Sequence, residues 1–124
     1  VRVTVLGLAF KPGTDDMRES PAIPVVRELL AAGAHVRAFD PVAQHEAEKL
    51  FGTDALAFAD NLVDAVNGAE AVLLLTRWPI FEALPGVLAS QAVPPVLIDG
   101  RRMLNKDSVA RYEGIGLNRP RCAA

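Results

Sequence analysis

The chain opens on VRVTVLGLA, a run of Val and Leu over residues 1 to 9 that ends at Gly7 and Ala9. Near-continuous apolar residues of this kind are the pattern of a parallel strand buried on both faces. After a loop over residues 10–18, Ser20 stands before Pro21, and Ile23, Val26, Leu29 and Leu30 recur at helical spacing until Gly33. Ser followed by Pro is a helix start, because the hydroxyl accepts a free first-turn N–H and proline has none to lose. Residues 35–39 read as a second strand ending at Asp40-Pro41, and 43–51 as a helix stopped by Gly52. Residues 56–58 make a short third strand, after which Asp60 or Asn61 caps a helix carrying Leu62, Val63 and Val66 up to Gly68. Residues 71–76 form a buried strand, 78–88 a short helix broken by Pro79 and Pro85, and 96–99 another strand after the Pro94-Pro95 turn. The rest is irregular, with Gly114 and Gly116 bracketing an edge strand.

Strands alternating with helices require crossover connections, which predicts an α/β, Rossmann-like three-layer sandwich with a mostly parallel sheet flanked by helices. A length of 124 residues fits a single domain over residues 1–124. In such a sheet, ligands collect outside the carboxyl ends of the strands where the strand order reverses. The loops that matter are therefore those after Leu8, Phe39, Leu75 and Ile98, and three of them carry unusual chemistry: FKPGTDDMRES, TRWP and DGRR.

Composition narrows the partners. The 51% hydrophobic content supplies a core, and a net charge of −2 with scattered Lys and Arg argues against a nucleic-acid surface or a polybasic membrane patch. Apolar runs fall far short of a membrane span, and the first ten residues lack a signal-peptide pattern. The lone cysteine, Cys122, excludes an intramolecular disulfide and fits a reducing compartment, so a cytoplasmic protein is expected. Val1 opens directly into strand pattern, as in a piece excised from a longer chain. His35 and His45 have no second ligand at metal spacing, and no metal is assigned.

The first loop gathers Lys11, Arg18, Asp15, Asp16 and a helix start. Free N–H groups and the positive dipole end of a helix, joined by two cations, suit a phosphate or diphosphate. The plainer alternative makes Lys11 and Arg18 solvated charges, Asp15 and Asp16 turn residues, and Ser20 a cap. Gly7 is followed by Leu8 and Ala9, so the G-x-G-x-x-G spacing of a dinucleotide turn is absent. Asp40 stands where a dinucleotide-binding domain keeps an acidic ribose partner, but before Pro41 it reads better as a turn residue. Trp78 reads as packing against its neighbours rather than lining a cleft.

The string GLAFKPGTDDMRESPA resembles the opening motif of the C-terminal, UDP-binding domain of the UDP-glucose/GDP-mannose dehydrogenase family: a strand ending G-L-x-F-K, then T-D-D-x-R-x-S-P, then a helix. The resemblance continues through AHVRAFDP, VLLLTRWPIF and LIDGRRML, in family order. It implies that Phe10 and Lys11 contact a nucleotide-sugar, that Arg101 of the D-G-R motif is a further substrate contact, and that Arg18 reaches NAD held by a separate domain. Asp16 and Ser20 would shape the loop, while Arg77 departs from the family's frequent acidic residue. Family members oxidise the C6 alcohol of a nucleotide-linked sugar to a carboxylate with NAD and a catalytic cysteine. That cysteine's motif is absent, and Cys122 in the tail PRCAA has no base or helix start to activate it, so no residue of this chain is assigned as catalytic. The implied partners are the nucleotide-sugar and the parent enzyme's NAD-binding and central helical domains. The alternatives are a lobe of a GDP-mannose or UDP-N-acetyl-mannosamine dehydrogenase, a free-standing nucleotide-binding regulatory domain, a complete NAD-binding domain, and a flavodoxin-like signalling receiver.

Overall fold

A computed structural model of the chain describes residues 1–9, 20–52, 56–100 and, as backbone, 112–114. Six strands make one sheet: β1 (Arg2–Leu6), β2 (His35–Phe39), β3 (Ala57–Phe58), β4 (Ala71–Leu74), β5 (Val96–Asp99) and β6 (Tyr112–Gly114). Their spatial order is β3-β2-β1-β4-β5-β6, and every neighbouring pair is parallel. The helices are α1 (Ala22–Ala31), α2 (Gln44–Phe51), α3 (Leu62–Val66) and α4 (Leu84–Ala89), the last preceded by a 3-10 turn over Pro79–Ala83. Right-handed crossovers running outward from β1 in opposite directions place α1 and α2 on one face and α3 and α4 on the other. In agreement, α3 packs against α4.

The central strands are apolar because both faces are covered. Val5 and Leu6 of β1, Val72 and Leu74 of β4, and Leu97 of β5 are buried, and they pack with Val26, Ala47, Leu62, Val66, Phe81, Leu84 and Leu88. Thr4 is buried in the same stretch and satisfies its hydroxyl by donating to the Ala65 carbonyl on α3. The buried run over residues 1 to 9 outlasts the strand: β1 ends at Leu6, where Gly7 turns at φ 94°, while Leu8 and Ala9 stay in the core. Similarly β4 stops at Leu74, and Leu75 and Thr76 continue it as buried loop.

Two expectations need correcting. Pro79 and Pro85 do not break a helix; each stands in the first turn of its own segment, where a missing N–H costs nothing. The edge strand takes in Tyr112–Gly114, so Gly114 lies within it rather than bracketing it, and Gly116 lies outside the described residues. Helix starts are as read: the Asn61 side chain accepts from Asp64 N–H at 2.8 Å, and Ser20 Oγ accepts from Ala22 N–H at 3.1 Å.

Candidate functional site

Strand order reverses between β1 and β4, so the crevice expected to take a ligand lies outside Leu6 and Leu74. Register aligns Phe39, Leu6, Leu74 and Asp99 in one row across the sheet, and the chain leaves that row together at Asp40, Gly7, Leu75 and Gly100. Three short backbone bonds hold the exits level: Gly7 N–H to Phe39 C=O, Leu75 N–H to Leu6 C=O and Gly100 N–H to Leu74 C=O, each 2.9 Å.

Asp40 organises this edge. It is 3% exposed, and its carboxylate accepts five hydrogen bonds. One oxygen takes the N–H groups of Val42 (2.8 Å) and Ala43 (2.7 Å), closing the turn into α2. The other takes the N–H groups of Leu8 (2.8 Å) and Ala9 (3.1 Å) and the indole N–H of Trp78 (3.0 Å). The loops after β1, β2 and β4 therefore meet on one side chain. The turn role expected of Asp40 is correct, and the packing role expected of Trp78 holds as well, since Trp78 is buried. Their bond to each other and the link to Leu8 and Ala9 are additions that only the structure shows. Pro41, lacking an N–H, points to a carboxylate capturing the next two amides, but the long-range partners depend on which strands become neighbours.

Around Asp40 the polar groups are satisfied in a closed set. Thr76, wholly buried, donates to the Ala9 carbonyl at 2.8 Å, and Ser20 donates to the Leu8 carbonyl at 2.8 Å while capping α1. Gly7 lies so close to the loop after β4 that a Cβ there would sit 2.5 Å from Thr76 N. Phe39 and Phe81 meet edge to face beneath the site, with centroids 6.3 Å apart.

Phe10, Lys11, Asp15, Asp16, Arg18 and Arg101 lie outside the described residues. What is fixed is where their loops depart: Phe10 follows Ala9, and Arg101 follows Gly100. β1 and β5 flank β4, so the ends of these two strands are separated by two strand spacings of about 4.8 Å, or about 10 Å. Arg77, in the loop after β4, is exposed and has no hydrogen-bond or ion-pair partner among the described residues. Clefts at the opposite, amino edge are lined by Arg2, His35, Arg37 and Gly68 (about 110 Å³) and by Glu70, Gln91 and Val93.

A parallel sheet of this order, with its reversal beside the first strand, defines a Rossmann-like α/β domain. The order also separates it from a flavodoxin-like receiver, in which the first and third strands are neighbours. The family model described as the UDP-glucose/GDP-mannose dehydrogenase family, UDP binding domain, matches residues 4–106, and the chain belongs to that family. It is 43% identical to a UDP-glucose 6-dehydrogenase of Rhizobium meliloti, over 93% of this chain and 27% of that protein. A UDP-glucose 6-dehydrogenase of Rickettsia bellii is 37% identical, over 92% of this chain and 27% of the relative. Among solved structures, a UDP-glucose dehydrogenase from Pyrobaculum islandicum superposes with a TM-score of 0.80 at 35% identity, over 94% of this chain and 26% of that one. The chain thus spans about a quarter of the length of the relatives it matches. No helix among the described residues is long and apolar enough to cross a membrane.

Proposed function

We propose that this chain is the nucleotide-sugar-binding lobe of an NAD-dependent, UDP-glucose 6-dehydrogenase-like enzyme that oxidises the sugar's C6 alcohol to a carboxylate. The observation that carries the reading is the match of residues 4–106 to the family's UDP binding domain. Relatives named as UDP-glucose 6-dehydrogenases favour UDP-glucose over GDP-mannose or UDP-N-acetyl-mannosamine. Within the lobe, Lys11 and Arg101 approach the diphosphate from the two loops flanking β4, and Phe10 lies beside the nucleotide. Arg18 reaches across to NAD held by another domain of the parent enzyme, which supplies hydride acceptance there. NAD does not fit the turn after β1 of this lobe, because its two amides already hold a carboxylate. The 124 residues act as one binding lobe without a catalytic group of their own, and Cys122 suits a reducing, cytoplasmic setting.

Calorimetric titration of the chain with UDP, GDP and NAD tests this. UDP should bind weakly but measurably and NAD more weakly still. UDP affinity should fall as salt rises, because Lys11 and Arg101 act by charge. Tight stoichiometric NAD binding without UDP or GDP binding would overturn the assignment.

A further inference from the structure

We propose that Asp40 is a specificity residue: its buried carboxylate occupies the main-chain N–H groups of Leu8 and Ala9 and so denies the turn after β1 to any phosphate. The inference deepens the nucleotide-binding reading and rests on it only for what the crevice binds.

In a dinucleotide-binding domain, the N–H groups of the first strand-to-helix turn face the diphosphate, and the acid ending the second strand reaches outward to a ribose hydroxyl. Here the acid ending β2 turns inward and takes the turn's amides itself, at 2.8 and 3.1 Å. A carboxylate offers about four lone-pair sites, and five donors already converge on this one. The Trp78 indole closes the remaining approach to the same oxygen at 3.0 Å. Thr76 pins the Ala9 carbonyl, and the backbone at Gly7 lies against Thr76, so the turn has no slack with which to expose its amides. A phosphate arriving here would meet a like charge and donors already spent. The diphosphate of a ligand must therefore be held by groups other than these two amides. A mononucleotide-sugar tolerates that arrangement, whereas a dinucleotide bound in the usual way does not. Asp40 thus separates this lobe from the NAD-binding domain built on the same topology.

The test is a ¹H–¹⁵N NMR titration of the 124-residue chain with inorganic pyrophosphate and, separately, with UDP. In the wild type both the Leu8 and Ala9 amide nitrogens should show through-hydrogen-bond coupling to the Asp40 carboxyl carbon, and that coupling should persist at saturating pyrophosphate and at saturating UDP. In Asp40→Ala, pyrophosphate should shift both amide resonances saturably, with at least about tenfold tighter binding at the turn, a change of about 1.4 kcal/mol. Loss of that coupling at saturation with either probe, or its absence from the free wild type, would overturn the proposal. So would a folded Asp40→Ala whose two amides stay still. If that variant does not fold, the wild-type couplings with and without each probe decide. A chain that ignores UDP in calorimetry refutes the function reading instead, leaving the pyrophosphate and coupling results to stand on their own.

Discussion

Gly7 shows how little room the carboxyl edge leaves. Its φ of 94° is one that side-chain-bearing residues rarely adopt, at a cost of about 1–2 kcal/mol. The space is also closed by backbone: an added Cβ would lie 2.5 Å from Thr76 N and 2.6 Å from Thr76 Cβ. Backbone cannot rotate aside as the tip of a side chain can, so overpacking adds about 1–3 kcal/mol. Gly7→Ala should therefore lose about 2–5 kcal/mol in urea unfolding. Gly86→Ala is the contrasting control, since nothing lies within 4 Å of its missing Cβ and a helical glycine is replaced. It should be neutral or stabilising by up to about 1 kcal/mol. Asp40 marks the limit of what a residue's neighbours in sequence reveal. Its bonds to Val42 and Ala43 follow from an acid placed before a proline, whereas those to Leu8, Ala9 and Trp78 exist only because β1 lies between β2 and β4.

At the scale of elements, the start of α1 does more than begin a helix. Ser20 Oγ accepts from Ala22 N–H and donates to the Leu8 carbonyl, fastening the first turn of α1 to the end of β1 in a buried setting. Ser20→Ala removes a cap, about 1 kcal/mol, and strands a buried carbonyl, about 1–3 kcal/mol. A loss of about 2–4 kcal/mol is expected by denaturant unfolding. Asn61→Ala at the start of α3 should lose only about 1 kcal/mol, because its capping bond is exposed and strands no second group. Cap and periodicity signals make these helix starts legible in the sequence, because a capping bond joins residues two or three positions apart. The segment after β4 is harder to read, since a proline carries the same letter whether it ends a helix or begins one. Pro79 and Pro85 are told apart from breakers only by the helical turns that follow each of them.

Across the whole molecule, alternation of strands and helices announces the layers and the parallel sheet, while the site itself is legible only as loops rich in charge. Its supporting frame, in which Asp40, Thr76, Ser20 and Trp78 tie the loops after β1, β2 and β4 together, is a product of strand order and register. That frame fixes the exits of the loops that carry Phe10, Lys11, Arg18 and Arg101 at the carboxyl edge, beside the reversal between β1 and β4. On the proposed function, a nucleoside diphosphate is held at this edge. Hydrogen–deuterium exchange of the chain with and without saturating UDP would locate it. Protection should rise in peptides covering residues 10–18, 76–78 and 100–102, and stay unchanged at the amino edge around Asn67, Gly68 and Gln91. Protection confined to the amino edge, or no change anywhere at saturating UDP, would contradict it.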